Sequence, residues 1–354
     1  MNAIRPVRLS IYTISHFCVD FCCFFMLFSW YSSGAHPDQT VTLGFLVYNV
    51  IAFGLQPLIG YFSDTNRKIP TEILGCPLLI AGLLCISTPA VSIILVGLGN
   101  ACFHVAGGID SLRQSDGKMA KSGVFVSSGA LGVAFGSIAG KSGRLSVIVP
   151  ITVQFLCFML LCFLYQKRVK SKNEEPTFSI IKPALNSEIV ILFAAVSIAI
   201  RSYIGSVLPI EWRTTTAFFL IPAIGACLGK ACGGFIADRI GIRRTATTSL
   251  LIAMFFLAFG YQNPYLYMIG ILLFNMSMSV TLCAIASALP MNPGFAFGIT
   301  TLALLCGNVP TFFIIATPTP IVFTALTIVS AACLYYILEG KVKEKNEGIL
   351  TENE

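Results

Sequence analysis

SIYTISHFCVDFCCFFMLFSWY, residues 10–31, is an apolar run that holds a histidine and an aspartate, His16 and Asp20. A helix of about twenty apolar residues is long enough to cross the hydrocarbon core of a bilayer. Ionisable side chains are costly at that depth and usually mark a solute or proton path. The run therefore predicts a membrane helix with a functional site inside it.

The composition of the whole chain agrees with a membrane protein. Its 354 residues are 56% hydrophobic and only 11% charged, with a mean hydropathy of +0.82, whereas soluble domains carry about 25% charged residues. This length accommodates about eleven or twelve spans and leaves no room for a separate soluble domain. No extramembrane segment pairs a nucleophile with a base, so we expect neither an enzyme nor a cofactor, and no nucleic-acid partner.

Apolar runs bounded by turn residues and charges predict an all-α protein with twelve transmembrane helices. Their densest charged interruption, at 166–187, is predicted to be a cytoplasmic linker between six-helix halves at 1–165 and 188–340, followed by a tail at 341–354. The predicted spans are 10–31, 42–62, 72–88, 90–109, 121–140, 146–166, 188–209, 215–236, 246–262, 265–288, 294–316 and 320–338.

The charges between the spans predict the orientation. If the N-terminus is cytoplasmic, the inner segments hold eighteen Lys and Arg and the outer segments hold three, Lys141, Arg144 and Arg213. This excess favours cytoplasmic termini. We therefore expect a multi-pass protein of the plasma membrane, surrounded by lipid. The basic linker is interpreted as a solvated loop, with binding to anionic lipid as the alternative.

Thirteen cysteines do not indicate a disulfide framework. Most lie inside apolar runs, where a cysteine is simply a small buried hydrophobe. The sequence contains no C-x-x-C pair, and its spacing shows no cluster of metal ligands. We therefore expect no metal.

A short motif occurs twice, at equivalent places in the two predicted halves. The first copy, GYFSDTNRK, begins at Gly60, and the second, GFIADRIGIRR, begins 174 residues later at Gly234. Glycine permits close helix approach, and an acid at a helix end can pair with arginines or with a neighbouring helix N-terminus. We interpret the copies as a gate, and the alternative is a pair of ordinary basic loops. The predicted gating residues are Gly60, Asp64, Arg67, Gly234, Asp238, Arg239 and Arg243.

With this motif the sequence resembles the major facilitator superfamily, and within it the fosmidomycin-resistance-type drug transporters. The likeness also includes His16 and Asp20, QPLIG at 56–60, GLGNACFH at 97–104, and Arg201 with Ser202. The resemblance implies two six-helix halves in which the first, fourth, seventh and tenth helices line a central cavity. His16 and His104 would then face each other about 8 Å deep, with Asp20 a turn deeper.

These positions give the candidate site residues. Asp20 and His16 are predicted to couple transport to protons. The alternatives are that the Asp20 carboxylate is hydrogen-bonded within helix packing and that His16 simply orients Asp20. Arg201 is predicted to pair with Asp20 or to contact substrate, because a buried guanidinium needs a partner. His104, Asn100 and Asn275 are further candidates for substrate contact. Lys230 is interpreted as snorkelling to the inner surface.

The sequence thus predicts a monomeric carrier that moves a small-molecule substrate by alternating access, with proton-coupled export preferred. One alternative is a proton symporter that imports a small anionic nutrient. Another is a membrane sensor that transports nothing.

Overall fold

The computed structural model describes residues 4–34, 37–66, 70–166, 178, 180–182, 185–208, 210–212, 214–313 and 318–339. Most of the predicted linker and the whole predicted tail lie outside these residues, so the domain boundaries stay predictions. The described residues form twelve helices: α1 Ile4–Ser32, α2 Asp38–Thr65, α3 Thr71–Leu84, α4 Pro89–Arg113, α5 Met119–Ser142, α6 Ile148–Gln166, α7 Ser187–Val207, α8 Thr216–Ile240, α9 Ile242–Phe259, α10 Pro264–Ala288, α11 Pro293–Phe312 and α12 Pro320–Ile337.

The prediction of an all-α membrane protein is confirmed. Eleven of the described helices are long and apolar enough to cross a membrane. The exception is α3, which has 14 residues and includes Pro77. Its predicted end at residue 88 is wrong, because Thr88 turns back and donates a hydrogen bond to the carbonyl of Cys85. The residue before a proline disfavours helical geometry, and Pro89 starts α4.

The helix starts follow from the sequence. Proline occupies the first turn of α4, α10, α11 and α12. Backbone N–H groups of the first turn have no partner within the helix, so proline costs no hydrogen bond there. Thr215, Asn263 and Thr319 cap α8, α10 and α12 through side-chain oxygens that accept backbone N–H groups. Between α5 and α6, Gly143 takes a left-handed conformation with φ 61°, which glycine adopts without steric cost.

Two of the helices are not regular throughout. A π-helical segment, Val50–Gly54, occurs in the middle of α2. In α10 the regular helix stops at Asn275 and resumes at Met278, so that Met276 and Ser277 form a break near its centre. Breaks of this kind are tolerated at membrane depth when they are buried in protein, and Met276 and Ser277 are both buried.

The helices form two halves with the same internal arrangement. In α1–α6, the first helix packs on the fourth, fifth and sixth, and the third helix packs on the fourth and sixth. The corresponding pairs pack together in α7–α12. The halves meet through two equivalent pairs, α2 with α11 and α5 with α8. Between these pairs, α1 and α4 of one half and α7 and α10 of the other bring polar residues into the middle of the bundle.

Candidate functional site

Four polar residues meet where α1 packs on α4. His16 and Asp20 are one turn apart on α1, and Asn100 and His104 are one turn apart on α4, so each pair projects from one helix face. The Nε2 atoms of the two histidines are 2.9 Å apart. The carboxylate of Asp20 lies 3.3 Å from Nε2 of His16 and 3.6 Å from Nε2 of His104. It also accepts a hydrogen bond of 3.1 Å from Nδ2 of Asn100.

We call His16, Asp20 and His104 the triad. All three are buried, with 5–8% of their surface exposed. The predicted meeting of the two imidazoles is therefore confirmed in the structure. Their function stays a prediction.

The backbone determines which nitrogen of each histidine carries hydrogen. Nδ1 of His16 lies 2.7 Å from the carbonyl oxygen of Phe125, and Nδ1 of His104 lies 3.0 Å from that of Asn100. A carbonyl oxygen can only accept, so both Nδ1 atoms must donate. In two neutral rings, the Nε2 lone pairs then point at each other across 2.9 Å. That contact is repulsive unless a cation lies between the rings.

Helix α5 leaves space for the triad by means of a glycine. A Cβ atom at Gly129 would collide with the carboxylate of Asp20 and lie 2.5 Å from Nε2 of His16. On the same face, Gly132 and Gly136 lie directly against backbone carbonyls of α1. Close backbone approach through small residues is a usual way for membrane helices to pack. The glycines of α5 therefore let α1 pack closely and leave room for the triad side chains.

The polar centre of the other half has a different composition. Arg201 of α7 is 4% exposed, and its guanidinium donates to Oγ of Ser277 at 2.6 Å and to Oγ1 of Thr281 at 2.9 Å. Its Nε donates to the carbonyl of Ser197 on its own helix at 3.3 Å. Pairing with Asp20, one of the two alternatives predicted for Arg201, is not formed, and contact of Arg201 with substrate stays a prediction. Neutral oxygens around the break in α10 hold the guanidinium instead.

Lys230 of α8 also faces this central region. Its charge interacts with those of Asp20, His104 and Arg201. No hydrogen bond or ion pair joins its ammonium group to another described residue. The interpretation that Lys230 snorkels to the surface is wrong, because the side chain points into the bundle. Arg201 and Lys230 thus place two cations opposite the triad.

The two copies of the repeated motif form equivalent contacts between the halves. At the end of α2, the carboxylate of Asp64 accepts backbone N–H groups of Gly294 and Phe295 at 3.0 and 2.9 Å, which begin α11. At the end of α8, the carboxylate of Asp238 accepts those of Met119 and Ala120 at 2.8 and 3.0 Å, which begin α5. Each acid therefore caps a helix of the opposite half, where the helix dipole favours a negative charge.

We call these two contacts the latches. Their glycines permit the close approach: a Cβ atom at Gly60 would collide with the backbone of Gly294, and one at Gly234 would lie within 2.9 Å of the backbone of Met119 and Ala120. Both latches lie at the same end of the bundle.

The predicted gating arginines are not part of the latches that the structure describes. Arg67 lies outside the described residues. Arg239 is exposed, and no ion pair joins it to Asp238 within the described chain. Arg243 instead donates to the carbonyl of Leu338 at the end of α12, at 2.5 Å. Among the described residues of the motif, the acids and glycines make the contact between the halves, and Arg239 and Arg243 do not.

Asn275 makes no described hydrogen bond to the triad. Its Nδ2 donates to the carbonyl of Ile271 on the same helix at 2.8 Å, and its Cβ lies against Gly229 of α8. It therefore serves the packing of α8 on α10, and its contact with substrate stays a prediction.

The expectation from sequence that no metal ligands cluster does not hold for the described residues. The ligand atoms of His16, Asp20 and His104 all lie within 4.8 Å of one another. The spacing concealed this, since His104 comes 84 residues after Asp20 and joins it only through packing of α4 on α1. The roles of Ser277, Thr281 and Gly129 were not predicted from the sequence. Small residues in membrane helices are so common that no local signal distinguishes these three.

Comparison with known proteins shows the fold. No protein-family model matches the chain, and neither does any curated protein sequence. Among solved structures, the chain is similar to the major facilitator superfamily transporter FucP in the outward conformation, with a TM-score of 0.64, 11% identity, and coverage of 92% of this chain and 98% of that one.

Two further solved structures have a similar fold. The fucose:proton symporter FucP of E. coli matches with a TM-score of 0.66 and 9% identity, over 94% of this chain and 98% of that one. A bacterial homologue of the iron transporter ferroportin, in the outward-facing state, matches with a TM-score of 0.51 and 14% identity, over 92% and 96%. At these identities the likeness shows a major facilitator fold, and the predicted fosmidomycin-resistance subtype stays a prediction.

Proposed function

We propose that this chain, with the fold of the major facilitator transporters, is a secondary active transporter that exports a small solute in exchange for protons. It would do so as a monomer in the plasma membrane, with both termini in the cytoplasm. The fold supports alternating access, in which two halves rock around a central site. The triad supports the coupling to protons.

The observation that carries the proposal is the pair of histidine Nε2 atoms 2.9 Å apart, both with their lone pairs directed inward. A proton between the two rings removes the repulsion and makes one imidazolium. Asp20, within 3.6 Å of both rings, balances that charge. The occupied triad is then neutral as a whole, and the empty triad carries one negative charge at membrane depth. An uncompensated charge is costly there, so the triad favours having a cation bound.

Groups of both halves lie near the triad and would influence the exchange of a proton. Cys23 and Tyr48 of the same half and Lys230 of the other half are close enough to interact with it electrostatically. When the proton leaves, the negative triad is attracted to Lys230 in the opposite half. A solute that donates hydrogen bonds or carries positive charge would compete with the proton for the same acceptors. That competition is the basis of exchange.

The latches supply a means of closing one end. Each joins the halves through a charged cap on a helix N-terminus, and such contacts contribute about 0.3–2 kcal/mol. Two contacts of this size are strong enough to favour one conformation and weak enough to open during a transport cycle.

A second candidate function rests on Arg201 and Lys230. No described carboxylate is paired with either cation. If an anionic solute bound to them while the triad held its proton, the two would travel together, and the protein would be a symporter. His104 and Asn100, on α4, would then line the same space.

The sign of a pH gradient separates the two functions. Purified protein is screened for small solutes that raise its Tm, and the best binder is offered outside proteoliposomes under gradients of either sign. We expect uphill uptake when the lumen is acidic, because outward proton flow then drives exchange. Uptake driven by an acidic exterior instead indicates the symporter. Equal uptake under both gradients would contradict proton coupling.

A further inference from the structure

The triad has the composition of a transition-metal site. Two imidazole nitrogens and one carboxylate oxygen form a common ligand set for divalent iron, zinc, cobalt, nickel and manganese. Hard cations such as magnesium prefer oxygen ligands alone and keep much of their water. The ligand atoms of the triad come from two helices packed together, so they are held in place before an ion arrives.

The spacing of the ligand atoms fits a single ion. With metal–nitrogen bonds of about 2.0–2.1 Å, two ligands at tetrahedral or octahedral angles lie roughly 2.9–3.4 Å apart. The distance between the two Nε2 atoms is 2.9 Å. Oδ2 of Asp20 lies 3.3 Å from Nε2 of His16, and Oδ1 of Asp20 lies 3.6 Å from Nε2 of His104. Each carboxylate oxygen thus faces one imidazole, and the carboxylate can bind an ion between the rings through one oxygen or both.

The surroundings of the triad match what metal-binding histidines usually have. Each Nδ1 donates to a backbone carbonyl, which fixes the ring and directs the Nε2 lone pair toward the centre. Such outer partners commonly accompany histidine ligands. One more oxygen is at hand: Oδ1 of Asn100 is fully buried and accepts no hydrogen bond from any described residue.

We propose that His16, Asp20 and His104 bind a divalent transition-metal ion between the two imidazoles. The ion bonds to both Nε2 atoms and to the carboxylate. With neutral rings and one carboxylate, the occupied site carries a net charge of plus one. Binding does not depend on transport, whereas use of the ion as the exchanged solute rests on the proposed function.

The charge of Lys230 should weaken metal binding at the triad. Its charge interacts with those of Asp20 and His104, so it opposes the excess positive charge of the occupied site. Replacing it with an uncharged side chain of similar length, in Lys230→Met, should therefore tighten metal binding. A site formed by other residues elsewhere in the chain would not respond to this change.

The test is calorimetric titration of Zn²⁺ into the full, untagged protein in detergent at neutral pH. Accessible thiols are first blocked with N-ethylmaleimide, since Cys232 and Cys306 are exposed. We expect one ion to bind per chain. Mg²⁺ should not bind. Absence of saturable Zn²⁺ binding to the wild type would overturn the proposal.

Substitutions of the triad residues test which side chains bind the ion. His16→Gln, His104→Gln and Asp20→Asn should each weaken Zn²⁺ binding by more than the roughly 10–100-fold that loss of an outer-shell partner costs. His36→Gln removes the third histidine of the chain and serves as the matched control, with unchanged binding expected. If the double variant His16→Gln/His104→Gln binds Zn²⁺ as tightly as the wild type, the site lies elsewhere and the proposal is wrong.

If the variants fail to fold, the visible spectrum of Co²⁺ bound to the wild-type protein tests the ligand assignment without them. Co²⁺ bound to nitrogen and oxygen ligands gives visible bands without a thiolate charge-transfer band, and this is the spectrum we expect. A thiolate band would assign the ion to cysteines and overturn the proposal.

If Zn²⁺ binds at the triad but no pH gradient drives uptake, the transport function fails and the metal site stands. Proton-coupled transport without Zn²⁺ binding would reject the metal site alone.

Discussion

Equivalent helices of the two halves hold opposite chemistry at the centre of this protein. In the first half, α1 and α4 bring His16 and His104 against the carboxylate of Asp20. In the second half, α7 and α10 surround the guanidinium of Arg201 with the hydroxyls of Ser277 and Thr281. Asn100 and His104 are four residues apart on α4, as Ser277 and Thr281 are on α10, so in each half the fourth helix contributes two polar residues from one face.

The difference lies in how each half balances its charge. The triad contains its own acid and lacks a cation, so it favours binding a proton or another positive ion. The second half contains two cations and no described acid paired with them, so it attracts a negative group. The repeated fold thus provides one frame, and a few side chains give its halves different ligands.

The largest effect is expected at Gly129, where the triad leaves no room for a side chain. In Gly129→Ala, the new methyl group collides with Asp20 and comes within 2.5 Å of His16. Overpacking of this kind typically costs about 1–3 kcal/mol. We expect a lower thermal midpoint and loss of both Zn²⁺ binding and pH-driven uptake.

A matched control is available in the other half. Gly205 lies near the end of α7, and a Cβ there would meet nothing within 4 Å. Gly205→Ala should be neutral or slightly stabilising, since alanine has the higher helix propensity. Equal effects of the two substitutions on uptake would contradict the role given to Gly129.

A smaller effect is expected at Arg201. Neutral hydroxyls hold its guanidinium, so Arg201→Met removes a buried charge without leaving an unpaired acid, and such replacements are often neutral or stabilising. We expect stability to be retained. Solute binding should be lost for the anionic solute of the symport candidate and kept for a solute that binds at the triad. Because Arg201 and Asp20 share no described hydrogen-bond partner, the double variant with Asp20→Asn should change stability additively, within about 0.5 kcal/mol.

That double-mutant cycle separates two arrangements. Direct pairing of Asp20 with Arg201, which the sequence suggested, predicts that the second substitution restores stability lost by the first. Chemical denaturation of the four proteins in detergent measures the coupling. A restored stability would show that the two charges pair and that the halves are not chemically separate.

The smallest effect is expected at the latches, and it should be equal in the two halves. Asp64→Asn and Asp238→Asn each remove a negative charge from a helix N-terminus, which costs about 0.3–2 kcal/mol. Both should change transport rate more than solute affinity. Stopped-flow uptake over a range of solute concentrations separates the two quantities. A loss confined to one variant would show that the latches are not equivalent.

Much of the fold followed from the sequence, because a bilayer restricts the choices. Apolar runs of about twenty residues have few alternatives to membrane helices, and the repeat that begins at Gly60 and Gly234 indicated two equivalent halves. The end of α3 was misplaced, since hydropathy continues past Leu84 while the backbone has already turned. The break in α10 gave no signal, because Met276 and Ser277 are both common in regular helices.

The site was predictable in part, for a different reason. His16, Asp20 and Arg201 stood out because charge is rare inside apolar runs. Their partners did not, because contacts between helices distant in sequence leave no trace in local spacing. Lys230 was misread for this reason: its distance from the helix end allowed snorkelling, and only the packing of α8 shows that it points inward.

The most direct test of the triad as the coupling site is the proton flux that accompanies solute flux in proteoliposomes. It compares the wild type with Asp20→Asn and with Asp116→Asn, whose carboxylate is half exposed and paired with Lys121. We predict that the wild type and Asp116→Asn move protons in fixed proportion to solute. Asp20→Asn should move none, because the triad has lost the charge that balances its cation. An unchanged proton-to-solute ratio in Asp20→Asn would contradict the assignment of the triad as the coupling site.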